Sequence, residues 1–194
     1  MNKIKNSKLS ICMIVKNEAL ILGRCLKSIG PAADELIIVD TGSNDSTIRI
    51  AKDFGANIIN SKWKNDFSYS RNISIRQAQC EWILWLDADD IVPQKSIPEI
   101  NTLKKEESNR VFGMIIKNQK PNGTGSIFLQ ARMFPNHQSI FFERSIHEQV
   151  MPSAFRMGMN LINTQIVIEH YGYANPDDIQ KKAKRNVSLL KKEL

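Results

Sequence analysis

Through the first half of the chain, dense apolar runs alternate with amphipathic stretches, the pattern of βαβ units around a mostly parallel sheet. Four strands are predicted: Leu9 to Val15, Glu35 to Val39, Asn57 to Ile59 and Trp82 to Leu86. Their dense apolar character implies burial on both faces of the sheet. Between them, Asn17 can cap a helix that carries Leu22, Leu26 and Ile29 on one stripe and stops at Gly30-Pro31. Asp45 can cap a second helix, running through Ile48 and Ala51 to Phe54 and ending at Gly55. Asp66 or Ser68 can start a third, through Ile73 to Ala78.

After Pro93 the pattern changes. One helical stretch, Ile97 to Glu107, precedes β-like segments at Val111 to Ile116, Ile127 to Met133, Ile140 to Phe142 and Ile166 to Glu169, with PNGTG at 121–125 reading as a hairpin turn. The expected fold class is α/β: a Rossmann-like half over 9–93 with a mostly parallel sheet, then a mixed β half over 94–174, together one domain spanning 1–174. Asn175-Pro176-Asp177-Asp178 then opens a C-terminal helix over 175–194, with Ile179, Ala183, Val187, Leu190 and Leu194 on its apolar stripe. Because that stripe is still running at Leu194, the natural protein is expected to continue into a helical region. No internal repeat is visible.

With 194 residues and 42% hydrophobic content, the chain can bury one core without covalent staples. No apolar run approaches the roughly 18 residues of a spanning helix, and Leu9 to Val15 is too short for a signal peptide, so a soluble, cytoplasmic protein is expected. Cys12, Cys25 and Cys80 are odd in number and form no CxxC pair, which argues for buried thiols rather than disulfides or zinc. The net charge of +7 is scattered, with pairs such as Lys104-Lys105 and Lys181-Lys182 and no longer run. A phosphate-bearing small molecule fits that distribution as well as a polyanion does. The expectation is a small-molecule partner and no nucleic acid, with peripheral membrane association compatible with the charge.

In an open parallel sheet, ligands gather at the carboxyl ends of the strands, where the strand order reverses. Here those ends carry Lys16-Asn17-Glu18, Asp40-Thr41-Gly42-Ser43 and Asp87-Ala88-Asp89-Asp90. Neither GxGxxG nor GxxxxGK[ST] occurs, so backbone-amide phosphate cradles are missing and a metal ion would have to grip the phosphates. Mn2+ or Mg2+ accepts carboxylate and diphosphate oxygens together, and Asp87 and Asp89, two apart on an extended chain, point the same way. Three carboxylates so close repel unless solvated or bridged by a cation, and Asp90 can alternatively cap the following helix.

Three stretches together carry a resemblance. LSICMIVKNEALILGRCLKSI, DELIIVDTGSNDSTIRIAKDFGA and DFSYSRNISIRQAQCEWILWLDADD resemble, segment by segment from Leu9 to Pro93, the opening half of family 2 glycosyltransferases of the GT-A fold. The resemblance implies a nucleotide-sugar donor, usually a UDP-sugar, with a metal on Asp87 and Asp89. It puts Asp40 on the base, Glu18 and Val15 in the nucleoside pocket, and Arg71 near base or phosphates. Asn17, Gly42, Ser43 and Ala88, in the same strand-end loops, are counted with the nucleotide site. RMFPNHQSIFFERSIHEQV resembles the R-x-F…(V/I)HE segment of bacterial members, which implies that Arg132, His147 and Glu148 face sugar and acceptor.

In inverting members a carboxylate takes the acceptor proton, and Glu148, Asp90 and Glu143 are the candidates. His170 can be a further metal ligand, as a C-terminal histidine is in some GT-A enzymes, or simply a hydrogen-bonded residue. Trp63 is the aromatic expected nearest the sugar, whereas Trp82, Trp85 and Phe134 are expected in the core. The implied acceptor is a glycan, a lipid-linked glycan, or a protein or peptide. Bacterial members often carry helical repeats after the transferase domain, which fits the unfinished helix. A sugar-phosphate nucleotidylyltransferase would want a glycine-rich basic loop where MIVKNEALILGR has one glycine, and a non-catalytic nucleotide-sugar-binding module leaves Asp87, Asp89 and Glu148 without a purpose.

Overall fold

In the computed structural model, residues 7–120, 123, 125–172 and 185–191 are described. Strands β1 (Leu9–Val15), β2 (Glu35–Asp40), β3 (Asn57–Asn60) and β4 (Trp82–Leu86) are all mutually parallel and lie in the order β3-β2-β1-β4. β1 therefore has β2 on one side and β4 on the other, and the crevice where strand order reverses opens at their carboxyl ends. Alternate side chains of these strands go to opposite faces. Leu9, Ile11, Met13, Leu84 and Leu86 join one core, and Cys12, Ile37, Ile83 and Trp85 join the other.

Helices α1 (Leu22–Ile29), α2 (Thr47–Asp53) and α3 (Phe67–Arg76) connect these strands. α1 buries Leu22, Cys25, Leu26 and Ile29, the predicted stripe. Its start differs from expectation. Asn17 sits in the left-handed region at φ 55 and its side chain accepts from the Asn44 N–H across the loop, so the helix begins after the carbonyl of Glu18 has received the N–H groups of Ile21 and Leu22. Asp45 does meet the first helical N–H of α2, at Thr47, and Gly55 past its end has φ 75. Of the two candidates for α3, Asp66 is the cap, accepting from Tyr69 N–H at 2.8 Å, while the Ser68 hydroxyl donates to the Arg144 carbonyl.

The second half is mixed, as expected. β5 (Asp90–Ile91), β6 (Arg110–Asn118), β7 (Ile127–Pro135) and β8 (Asn160–His170) extend the sheet to β3-β2-β1-β4-β7-β6-β8-β5, with β7 antiparallel to both β4 and β6. α4 (Ile97–Leu103) is shorter than the predicted stretch and packs on the first core, and α5 (Met151–Arg156) covers the second. Three features depart from the sequence reading. Asp90 begins a short strand paired with His170 and does not cap a helix. Ile140 to Phe142 is not a strand, because the Asn72 side-chain amide takes both the N–H and the carbonyl of Phe142, as a neighbouring strand otherwise would. β8 starts at Asn160, in a polar and exposed stretch that alternation alone does not mark. The predicted cap at 175–178 lies outside the described residues. Residues 185–191 are helical, with Leu189 buried where Val187 was expected inward. Among the described residues no helix is long and apolar enough to cross a membrane, and all three cysteines are buried thiols.

β6 and β8 run parallel with a register jump, Gly113 facing Asn163 and Ile115 facing Val167. Thr164 holds that bulge. Its hydroxyl donates to the Gly113 carbonyl at 2.9 Å and accepts from the Ile166 N–H at 3.2 Å. The bulge sets where β8 ends, and hence where His170 stands. Thr164→Val should lower the unfolding free energy by about 1–2 kcal/mol in urea titrations, since it strips a buried carbonyl of its donor, whereas Thr102→Val on an exposed helix face should change it by less than about 0.5 kcal/mol.

Candidate active site

The loops after β1 and β2 are stitched to each other. Thr41 donates to the Val15 carbonyl through both its N–H and its hydroxyl, Asn17 N–H donates to the Ser43 hydroxyl at 2.9 Å, and Glu18 N–H to the Thr47 hydroxyl at 2.7 Å. Gly42, at φ 104, turns the chain so that its N–H and that of Ser43 both donate to Asp40 Oδ2 at 3.0 Å. The other Asp40 oxygen, Oδ1, is buried without a hydrogen-bond partner. A buried orphan acceptor costs stability until a donor arrives, so Asp40 fits a ligand N–H.

A cleft of about 680 Å³ opens above these loops. Val15, Glu18, Trp63, Arg71, Asp87, Ala88, Asp89, His147, Glu148 and His170, all singled out from the sequence, line it. Asn17, Gly42 and Ser43 are not among its lining residues and hold the loops through the hydrogen bonds above, while Asp40 is 3% exposed in the same loop as the lining residue Thr41. Lys16, Thr41, Phe67, Gln130, Gly172, Arg185 and Asn186 also line it. The signal for Lys16 and Thr41 was their place in the strand-end loops. Arg185, whose guanidinium stacks 4.8 Å over the Phe67 ring, had none, because it arrives on the C-terminal helical segment.

Two of the three aspartates after β4, Asp87 and Asp90, are paired with arginines. Arg71, from α3, donates through Nη2 to Asp87 Oδ1 and through Nε to Glu148 Oε1, each at 2.7 Å. Arg132, from β7, donates through Nη1 to Asp90 Oδ2 at 2.9 Å and lies 3.7 Å from Asp87 Oδ2. Both guanidiniums pack on the Trp85 ring, at 4.0 and 3.7 Å from its centroid. Burial would raise the Asp87 pKa, but Arg71 and Arg132 outweigh it and hold the carboxyl well below the usual range. Arg132, expected to face the acceptor, is instead only 2% exposed, because its charge is needed against Asp90 and Asp87 beneath the floor.

Asp90 is likewise enclosed rather than facing the cleft. Its Oδ2 takes Arg132 and the Asp87 N–H, and its Oδ1 lies 2.8 Å from His170 Nδ1. Of the three carboxylates considered as base, Glu148 alone lines the cleft among the described residues. Glu143 pairs with Arg156, away from it. The loop that presents Glu148 is held by Phe67 N–H on the Ser145 carbonyl and by reciprocal backbone bonds between Glu143 and Gln149, with Arg144 and His147 in the left-handed region at φ 76 and 54.

Asp87, Asp89, Asp90 and His170 offer ligand atoms all within 4.8 Å of one another. This donor set, carboxylate oxygens with one imidazole, fits a hard divalent cation. The charge fits too: Arg71 and Arg132 pair with Asp87, Asp90 and Glu148, three carboxylates against two cations, and Asp89 adds a further carboxylate. Burial would lower the His170 pKa, yet the hydrogen bond to Asp90 and the nearby Asp89, Asp90 and Asp87 raise it, so a cation there competes with a proton. The Cys25 thiol beneath the Asp87 carbonyl is pushed up by burial and the three aspartates and stays protonated, outside the ligand set.

Known proteins share this arrangement of chain. A TPR repeat-containing protein of Synechococcus elongatus is 35% identical over 182 residues, which cover 91% of this chain and 45% of that protein. The SPbeta prophage-derived glycosyltransferase SunS of Bacillus subtilis is 32% identical over 187 residues, 94% of this chain and 44% of SunS. The chain thus spans under half the length of these relatives. Among solved structures, S. aureus TarS in complex with UDP-GlcNAc superposes with a TM-score of 0.65 at 16% identity, covering 89% of this chain and 60% of TarS. Glucosyl-3-phosphoglycerate synthase of Mycobacterium tuberculosis gives 0.64 at 15%, covering 95% and 78%. These two likenesses concern the GT-A fold. The sequence profile described as glycosyl transferase family 2 matches residues 10–170, which takes in every strand from β1 to β8, and the chain belongs to that family.

Proposed function

We propose that this domain transfers a sugar from a UDP-sugar to a nucleophilic acceptor group, with inversion, in a reaction dependent on Mn2+ or Mg2+. The observation that carries the reading is that Glu148 and the Asp87, Asp89 and His170 set face one cleft and are bridged by Arg71. Donor-binding and proton-accepting groups are thereby held in fixed relation. Support for UDP comes from TarS, whose fold is similar and which was solved with UDP and with UDP-GlcNAc.

In this reading Asp40 Oδ1 accepts a hydrogen bond from the donor's base, and Val15, Glu18 and Thr41 wall the nucleoside. Asp89 and His170, with Asp87 beside them, would hold a divalent cation, which would supply charge neutralisation for the diphosphate leaving group. Arg71 holds the Glu148 carboxylate at the cleft wall, and Glu148 takes the proton from the acceptor as it attacks the anomeric carbon from the face opposite the diphosphate. Trp63, paired edge-on with Phe67 at 4.9 Å, and His147 flank the sugar and acceptor. The acceptor is a glycan, a lipid-linked glycan, or a protein or peptide.

A thermal-shift panel of UDP-, GDP-, CMP- and dTDP-sugars with Mn2+ or with EDTA tests the donor. At about 100 times Kd a UDP-sugar with Mn2+ should raise Tm by about 5–10 °C, and a shift equally large in EDTA would sink the metal requirement. Asp40→Asn should weaken UDP-sugar binding about 10- to 100-fold in calorimetry, because the orphan acceptor becomes an amide. Glu148→Gln should keep donor binding while single-turnover transfer slows about 10²- to 10⁴-fold; undiminished transfer would remove Glu148 as the base.

A further inference from the structure

Gly172 lines the cleft beside the candidate ion site. A Cβ built on its backbone would lie 2.5 Å from His170 Nε2, 2.6 Å from Asp89 Oδ2 and 3.1 Å from His170 Cε1. The main chain does not demand glycine here. Its φ lies outside the left-handed region, unlike those of Gly42, Gly55, Gly123 and Gly158. Glycine at this position therefore answers to space, and the atoms that claim the space belong to His170 and Asp89, two of the candidate ligand side chains.

The surroundings hold these atoms in place. Tyr171 N–H donates to the Asp89 carbonyl at 2.9 Å, which lays residues 170–172 against the aspartate loop. His170 Nδ1 lies 2.8 Å from Asp90 Oδ1, and Asp90 Oδ2 accepts from Arg132 at 2.9 Å. A carboxylate on the far nitrogen of a ligating histidine fixes its tautomer and its ring plane.

We propose that Gly172 determines metal binding: its missing side chain keeps His170 Nε2 and Asp89 Oδ2 convergent on one ion, and Asp90, anchored by Arg132, is the positioning residue that turns the His170 ring toward it. This rests on the metal-dependent reading above. It assigns Asp90 a role distinct from that of base, and it makes a glycine with no functional atom part of the site. Because the crowded atoms are the ends of side chains, a methyl at position 172 displaces them without unfolding the chain.

The test is Mn2+ titration followed by electron paramagnetic resonance, on the full chain with saturating UDP. Gly172→Ala should bind Mn2+ at least about tenfold more weakly, with its melting midpoint in EDTA unchanged, and Asp90→Asn about 10- to 100-fold more weakly. Gly23→Ala, where the new methyl would sit 3.7 Å from Ile50, should bind as the wild type does. Wild-type affinity in Gly172→Ala overturns the proposal. So does a large drop in its melting midpoint in EDTA, which would make the glycine a requirement of the fold. A wild-type chain that binds no Mn2+ overturns the metal reading itself.

Discussion

Asp87 and Asp90 at the carboxyl end of β4 can sit close together because guanidiniums from distant parts of the chain pair with them. Two like charges about 4 Å apart cost about 4 kcal/mol at the effective dielectric of a protein surface, and burial makes it worse. Arg71 arrives from α3 and Arg132 from β7, and each pairs with an aspartate that the other also touches or approaches. Removing either would strand a desolvated charge, the costly half of a buried ion pair. The pairing therefore dictates where α3 and β7 must stand relative to β4.

Trp85 connects this polar layer to the core. Its ring packs edge-on against Phe142 below, its indole N–H donates to the Ala131 carbonyl, and both arginines lie on it. One residue of a buried strand thus serves as the floor for two cations that also pair with the carboxylates of the site. The same cations join the halves of the domain: Arg71 ties Asp87 of the first half to Glu148 of the second half, and Arg132 ties β7 to Asp90 and, through it, to His170 at the end of β8.

Membership of glycosyl transferase family 2 rests on residues 10–170, and the charged lattice lies wholly within them. Arg185 and Asn186 reach the cleft from beyond that range. Burial lowers the Arg185 pKa while Glu148 and Glu18 oppose it, so this late arginine adds a cation on the open side of a cleft whose floor is anionic.

Much of this was legible one residue at a time. The apolar runs marked β1, β2 and β4, because strands buried on both faces admit little else, and the polar clusters just after them marked the floor of the cleft, because parallel strands bring their carboxyl ends to one edge. Spacing made Asp87 and Asp89 candidates for gripping a cation, and the resemblance to family 2 glycosyltransferases singled them out. What they could not decide was which atoms meet across 40 to 80 residues of chain. Arg132 looked like an acceptor residue and is a buried counter-ion. Asp90 looked like a base or a helix cap and is a strand residue holding His170. Asn72 supplies the hydrogen bonds that keep Phe142 out of a strand. Gly172 carried no chemical signal, since its part is the room it leaves. Local periodicity and side-chain type were enough for β1, β2, β4, the α1 stripe and the acidic character of the strand ends. Only the tertiary structure decided the pairing of charges, because an ion pair or an excluded volume depends on distance in space, and no local pattern records it.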